Sequence, residues 1–454
     1  GLMTSEAEAA GADDLLIGVR AESDAAIEDA LREIDAVMNK RNTKSAGVAA
    51  RSLETIRQAA ALNEGYNFAV VSVPGIYAAR ECKIALENGM HVFLFSDNVT
   101  VDEEVELKTI ANQKDLLMMG PDCGTAIIGG VPLGFANRVR KGNIGIAAAS
   151  GTGLQHVTTL IDFLGGGITH AIGTGGRDLS ERVSGRTMLA ALDALDGDKD
   201  TEVVVILSKP PAPSVAEKVL TRAKAMSKPV VMCLFGQEAM PNLGEIIQCF
   251  NIEETAVKAV SVALKQETAL HDRFFSDDKI KKFKKLRKPG QKYVRGIFCG
   301  GTLCDETMIT FRRYSVPFYS NIPISPDEEL SDIHKSAGNT FIDMGDDYFT
   351  KGKPHPMIEP GLRNKRIVQD ALEPDTAVIL IDIEIGHGSH EDPAGIAVQA
   401  VKEANREDIL WIASVIGTDA DPQGLNEQAQ KLLDAGFVVS LSNVRAAALA
   451  ASLC

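Results

Sequence analysis

The sequence predicts an α/β protein: three doubly wound units with mainly parallel sheets, behind a short N-terminal piece. Three observations predict it. β-branched runs alternate with stretches of helical spacing, in the repeated order strand, glycine turn, helix. Glycine is abundant, at 40 residues, and aromatics are scarce, at 5%, which suits tight strand-to-helix turns better than an all-β sandwich. The 454 residues, 45% of them hydrophobic, suffice for about three domains with cores of their own.

Residues 1–40 form the N-terminal piece. Residues 1–14 are small and polar and suit either a tag scar or the remnant of a longer N-terminal region. Residues 15–19 are a candidate strand, and 23–39 a helix capped by Ser23 or Asp24. The first full unit spans 41–140, with strands at 68–73, 92–95 and 116–119 and helices at 52–63, 76–88 and 101–113. The second spans 141–265, with strands at 143–149, 168–172, 203–207 and 229–234 and helices at 153–163, 188–194 and 216–225. Residues 266–292 are charged and close on Pro289-Gly290; they read as an interdomain linker, a solvated basic helix and turn rather than a nucleic-acid contact. The third unit spans 293–454, with strands at 294–299, 377–383, 409–415 and 437–441 and helices at 393–405 and 426–434. The shared strand–glycine–helix order of the second and third units fits a distant duplication.

A formal charge of −15 argues against nonspecific binding to nucleic acid or to anionic membranes. An acidic protein still binds anions through the free amides of helix N-termini. The seven cysteines include no CxxC pair, which fits a reducing cytoplasm. Neither Cys nor His shows ligand spacing, so no metal site is expected. No apolar run approaches the ~18–20 residues of a membrane span, and no signal peptide is visible.

Chemistry-bearing motifs sit where strands end. Ser150-Gly151-Thr152-Gly153 joins a small-residue strand to a helix; glycine lets a ligand approach the backbone, and free amides with two hydroxyls suit phosphate or carboxylate. A capped helix start without ligand is the plainer alternative. Gly120-Pro121-Asp122-Cys123-Gly124-Thr125 also follows a strand, as a cleft wall or a tight turn between domains; Cys123 has no neighbouring base and makes a poor nucleophile. Gly175-Gly176-Arg177-Asp178 places a guanidinium beside a glycine turn, either to clamp an anion or as a surface pair. Ser72-Val73-Pro74-Gly75 and Ser96-Asp97 match the same design for a nucleotide-like or CoA-like cleft, and turn chemistry explains them equally. In the third unit the candidates are Gly301-Thr302, the acidic turn Asp343, Asp346 and Asp347, and Gly417-Thr418. His355 is held between two prolines and is a candidate catalytic residue beside Arg177.

These motifs carry a family resemblance. From about residue 71 to 211 the order Val73-Pro74, Ser96-Asp97, Gly120-Pro121-Asp122-Cys123, Ser150-Gly151-Thr152 and Gly175-Gly176 resembles the succinyl-CoA synthetase α subunit. The tracts 95–100, 119–125, 149–153, 166–173, 175–180, Ser208-Lys209-Pro210-Pro211, 345–347, 354–358, and Gly417-Thr418 with 421–423 look like the FdrA family. The resemblance implies a Rossmann-like CoA-binding-type domain followed by two flavodoxin-like domains of the succinyl-CoA synthetase ligase type. It implies CoA as a candidate ligand, with no certain cofactor. The activity implied is that of an oxamate carbamoyltransferase subunit in allantoin and purine catabolism, turning oxalurate and phosphate into oxamate and carbamoyl phosphate. Companion subunits and a homo- or hetero-oligomer are implied with it. The alternatives are a nucleoside-diphosphate-forming acyl-CoA synthetase and a noncatalytic ligand-binding scaffold. Succinyl-CoA synthetases carry a phosphorylated His in a Gly-His-Ala-Gly segment; here the corresponding residues 234–245 contain no His, which weighs against the phosphohistidine relay.

Overall fold

The computed structural model describes residues 19, 21, 23–40, 53–62, 64–241, 243–275 and 277–454. The chain divides into two compact units, residues 1–54 and residues 55–454. In the first, the helix Asp24–Lys40 follows Ser23, whose hydroxyl accepts from the Ala26 amide at 3.3 Å, the cap expected from the sequence. Apart from Val19, the strand expected over 15–19 lies outside the described residues.

The larger unit holds three sheets. The first is small and parallel, in the order β1 (Phe68–Val71), β2 (His91–Leu94), β3 (Met118–Met119). The helix Val101–Gln113 returns between β2 and β3, and a capping box of Thr100 and Glu103 fixes its start.

The second sheet comprises the hairpin β4 (Thr125–Ile128) and β5 (Val131–Gly134), then β6 (Lys141–Ala149), β7 (Ile168–Gly173), β8 (Val203–Ser208), β9 (Val230–Leu234) and β10 (Ile247–Gln248). The third comprises β11 (Tyr293–Phe298), β12 (Tyr319–Ser320), β13 (Thr340–Asp343), β14 (Thr376–Glu384), β15 (Leu410–Ile416) and β16 (Val438–Ser440). Their spatial orders are β10-β9-β8-β6-β7-β4-β5 and β12-β13-β11-β14-β15-β16. Each contains the flavodoxin-type arrangement, β7-β6-β8-β9-β10 in one and β13-β11-β14-β15-β16 in the other. The duplication read from the sequence therefore has a topological counterpart. β8 and β14 are buried along their whole length, which is why they read as unbroken apolar runs rather than as alternating patterns.

Two stretches lie differently from the expected organisation. The hairpin β4–β5, within the residues expected in the first unit, pairs antiparallel with β7 and so completes the second sheet. Its turn is Gly129-Gly130, both at positive φ. The expected linker 266–292 is a packed strap. Its helix Asp277–Leu286 buries Ile280 and Phe283, and Arg287 Nη1 donates to the Leu453 carbonyl at 2.8 Å, while Lys281, Lys282, Lys284 and Lys285 face solvent. Among the described residues no helix is long and apolar enough to cross a membrane.

Candidate functional site

The helices Gly151–Phe163 and Gly301–Arg313 begin at the carboxyl ends of β6 and β11, the central strands of the second and third sheets, and their N-termini meet. Ser150 Oγ accepts from the Gly153 amide at 3.1 Å and pairs with Thr302 Oγ1 at 2.7 Å. A Cβ placed on Gly300 would come within 2.6 Å of the Thr152 side chain. Ser150 and Gly300 are the two N-caps, so residue 150 touches 302 while 300 touches 152. This reciprocity is the signature of a local two-fold relation. It also changes the expected phosphate cradle. The Ser150 hydroxyl, 3% exposed, and the Gly153 amide serve each other and the interface with Thr302. Gly151 and Thr152 are only part-buried, and a Cβ on Gly151 would meet nothing within 4 Å.

On the Gly301 side the space is filled. A Cβ there would lie 2.7 Å from Lys209 Nζ and 2.6 Å from Asp343 Oδ2, so glycine is required where the ammonium lies against the start of the helix. Lys209 directly follows β8, at the switch point between β6 and β8 where open α/β sheets bind ligands. Its ammonium has no hydrogen bond and no ion pair among the described residues. Its charged neighbours are Asp305, Asp343 and Asp122. Burial pulls the Lys209 pKa down, and the three carboxylates outweigh it, leaving the group above its ordinary value. The acids move the same way for the opposite reason. Burial pushes Asp343 up to about 7, against Lys209 and the Gly345 amide, which donates to Asp343 Oδ1 at 2.9 Å. Burial pushes Asp305 up to about 6 against Lys209 alone. It pushes Asp122 up to about 6 against Lys209 and Arg177, with Asp97 and Asp347 adding to the rise. Asp347 is raised by burial, then by Asp97 and Asp346. The crevice thus joins one unpaired cation to carboxyl groups that exchange protons near neutrality.

His355 approaches from the third unit. Its Nδ1 accepts from the Met357 amide at 3.2 Å, which places the ring proton on Nε2. Burial holds the ring neutral, its pKa pushed down to about 4. A Cβ on Gly345 would lie 2.7 Å from Nε2 and 3.1 Å from Asp343 Oδ1, so both groups converge on that glycine. In this tautomer His355 donates a hydrogen bond; it does not offer a nucleophilic nitrogen to phosphorus.

The remaining expected site residues divide into cleft and scaffold. Arg177 does not stand free as an anion clamp: it binds Glu104 Oε2 at 3.1 Å and donates to the Val99 carbonyl at 2.8 Å. Asp178, read as a surface partner of Arg177, is buried. It pairs with Lys108 Nζ at 2.8 Å and accepts from the Thr187 and Met188 amides at a helix start. Gly175 lacks a side chain because a Cβ would lie 2.5 Å from the Pro121 carbonyl, and one on Gly176 would lie 3.6 Å from Asp122 Oδ2. Gly120 packs against the Leu94 carbonyl and Gly75 against that of Asp97. Ser72 and Val73 are exposed, and Ser96 Oγ donates to the Val73 carbonyl at 2.5 Å.

Cys123 and Thr125 are buried rather than lining a cleft. The thiol donates to the Gly173 carbonyl at 3.3 Å with its pKa pushed up to about 12 by burial, and Thr125 Oγ1 donates to the Phe135 carbonyl at 2.7 Å. Asp346 caps the short helix Asp347–Thr350. Gly417 and Thr418 belong to a clasp. Thr418 Oγ1 donates to the Arg138 carbonyl at 2.8 Å, and Asp421 accepts from Asn137 Nδ2 at 2.8 Å and the Arg138 amide at 2.7 Å. The sequence reading quoted Lys209 only within the tract 208–211, without a role, and did not name Asp305. A lysine just after a fully buried strand, and an acid on a helix buried nearly all round, were the available signals.

Comparison with known proteins agrees with this architecture. A model described as CoA-ligase matches residues 297–453, and one described as CoA binding domain matches residues 139–235. A model described as AllF, heavy metal-associated domain, matches residues 1–54. Residues 1–54 contain neither Cys nor His, and the sulfur donors in them are Met3 and Met38. The succinate–CoA ligase [ADP-forming] subunit alpha of Staphylococcus epidermidis (strain ATCC 35984) is 28% identical over 39% of this chain and 59% of its own length. The solved dinucleotide-forming acetyl-coenzyme A synthetase 1 of Ca. Korarchaeum cryptofilum, with phosphate and ADP, aligns at a TM-score of 0.35 and 15% identity, over 90% of this chain and 86% of that one. Sheets and matched modules define an α/β protein of the succinyl-CoA synthetase-like, CoA-ligase type. The chain belongs to the family of the Escherichia coli (strain K12) protein YahF, with 45% identity over 99% of this chain and 88% of that one. The FdrA-type resemblance fits these matches.

Proposed function

We propose that the chain is a CoA-ligase-type subunit that moves a small acyl group by way of its acyl phosphate, at the switch point of the second sheet beside Lys209. The observation that carries this reading is the unpaired Lys209 ammonium against the N-terminus of the Gly301–Arg313 helix. An ammonium and a helix N-terminus together favour phosphate oxygens and the charge that develops on them during transfer. Asp305 and Asp343, raised to about 6 and 7, supply a proton to the departing group and take one from the incoming group near pH 7. His355 Nε2–H is a neutral donor for an acyl or carboxylate oxygen.

The acceptor separates two versions. The CoA-ligase and CoA-binding matches and the succinate–CoA ligase relatives favour a CoA thiol, giving an acyl-CoA synthetase of the nucleoside-diphosphate-forming type. Two observations favour carbamoyl transfer. Residues 234–245 contain no His, and His355 is set as a donor, so a phosphohistidine relay lacks its carrier. The activity that the FdrA-like tracts imply is of this second kind. In that version a phosphate oxygen attacks the carbamoyl carbon of oxalurate, the carbon–nitrogen bond breaks, and Asp343 protonates the departing oxamate nitrogen.

The test gives the purified protein, alone and with companion subunits, two substrate sets: ATP, CoA and succinate, or oxalurate and phosphate. Thioester formation selects the first version and carbamoyl phosphate the second. Lys209→Met is expected to lower either turnover by about 10²-fold or more with the fold intact. Undiminished turnover in that variant would remove the crevice from the mechanism.

A further inference from the structure

A sheet ends in two margins, and each margin is a row of backbone donors and acceptors that another chain can pair with. Among the described residues, all the margins of the three sheets but one are covered or blunted. β3 lies against a helix, Thr187 Oγ1 donating to the Met118 carbonyl at 2.7 Å. β10 has two residues, and β5 carries Pro132. Ser320 of β12 bridges to Glu329, and the Leu441 amide just past β16 donates to Asp272 of the strap at 2.9 Å. The exception is β1. Its residues Phe68-Ala69-Val70-Val71 include neither a proline nor a charge. The Asn67 and Val71 carbonyls accept from the His91 and Phe95 amides at 2.8 and 2.9 Å. Residues 67, 69 and 71 therefore serve β2, and the amides and carbonyls of Phe68 and Val70 face outward, where no described strand pairs with them.

The side chains around this margin are apolar and open to solvent. Val70 is 60% exposed and Ile76 77%, and Tyr66, Val73 and Tyr77 are exposed as well. Charge selects the occupant. Residues 65–79 hold no charged side chain, although 24% of the chain is charged and its net charge is −15. Two such copies repel one another through most of their surface. In a two-fold contact the same patch meets itself, so any charge on it is set against its own kind. A neutral margin is what that contact needs, whereas a foreign partner would require no such neutrality. The strand geometry agrees. A two-fold axis beside Val70 sets two copies of β1 antiparallel, with Val70 exchanging both backbone hydrogen bonds with its own counterpart and Phe68 lying opposite Ser72. We propose that β1 is a homodimer interface, at which two copies of this chain join their leading sheets into one continuous sheet. The sequence implied an oligomer only through the family resemblance and pointed to no surface for it.

The test is the mass of the full chain in solution, by light scattering and sedimentation at micromolar concentration, in low and in high salt. The unmodified chain is expected to be a dimer, held as well or better in high salt, because screening removes the repulsion between acidic copies. Val70→Pro removes an outward amide without touching the ladder to β2, and Val70→Lys sets two ammonium groups against each other across the axis. Each should weaken dimerisation by about 10²-fold or more with an unchanged circular dichroism spectrum. Val131→Lys alters an equally exposed valine on the proline-guarded margin of β5 and should leave the dimer intact. A monomeric unmodified chain would overturn the proposal. So would a dimer that survives both Val70 variants, or one that is lost equally in Val131→Lys.

Discussion

The second and third sheets share a strand order and a helix start, yet close their switch points with opposite charges. After β8 stands Lys209, open to a crevice and flanked by acids from three parts of the chain. At the end of β14, in the aligned position, stands Glu384, sealed behind Arg363 and Asp382. A shared strand order thus provides two equivalent places for chemistry, and the residue at the carboxyl end of the third strand in each sheet decides their use. The helix starts differ in the same sense: a Cβ on Gly301 collides with Lys209 and Asp343, whereas one on Gly151 meets open space.

The largest effect expected from breaking this asymmetry is the loss of turnover in Lys209→Met set out above. The glycine pair comes next. Gly301→Ala should destabilise by about 1–3 kcal/mol through overpacking against Lys209 and Asp343. Gly151→Ala should be neutral or stabilising by about 0.5–1 kcal/mol, because alanine suits a helix better. Urea unfolding of both variants measures the contrast, and equal effects would mean that the two starts are packed alike. Ser150→Ala should cost about 1 kcal/mol by stripping the Gly153 amide of its cap. Combined with Thr302→Ala, a double-mutant cycle should return a coupling of about 0.5–1.5 kcal/mol across the two-fold contact.

Proton binding gives a further contrast. Asp122, Asp305 and Asp343 have folded pKa values above the unfolded ones, so their contribution to stability is complete below about pH 4. It is lost as pH rises through about 6 for the first two and about 7 for Asp343. His156 and His355, pushed down to about 4 by burial, act oppositely: their contribution is complete above about pH 6.5 and is lost on falling toward 4. Carbon-13 NMR of labelled aspartate should show those midpoints, and Lys209→Met should move all three upward. Midpoints near 4 in the unmodified protein would mean that the crevice is better solvated than its packing implies.

Much of the sheet framework was legible because β6, β8, β14 and β15 are apolar runs covered on both faces. The Gly301–Arg313 helix was not. Residues 302–308 are all buried, Asp305 and Glu306 included, so no polar face marks the helical period. Short strands such as β10, β12 and β3 carry two residues each and leave no pattern to read. Of the site, the Ser150 turn was legible as a helix cap, but its sealing by Thr302 spans 152 positions of chain. Lys209 alone is an ordinary lysine. Its meaning comes from Asp122, Asp305 and Asp343, which only the fold assembles. The acidic turn at 343–347 was a candidate with no partner legible in the sequence, and the fold sets Asp343 beside Lys209.

The triad of Lys108, Glu104 and Asp178 bears on how this chain can be divided. Lys108 reaches Glu104 and Asp178 at 2.8 Å each, and all three side chains are shut off from water. One end belongs to a helix of the small leading sheet, the other to the turn that starts a helix of the second sheet. A truncation that began at residue 141, intended as a portable minimal core, would strand a buried Asp178 without its ammonium, a defect worth about 3–5 kcal/mol. It would also remove the hairpin that finishes one margin of the second sheet. Recombinant fragments, chimaeras and domain grafts need to carry the leading sheet with them.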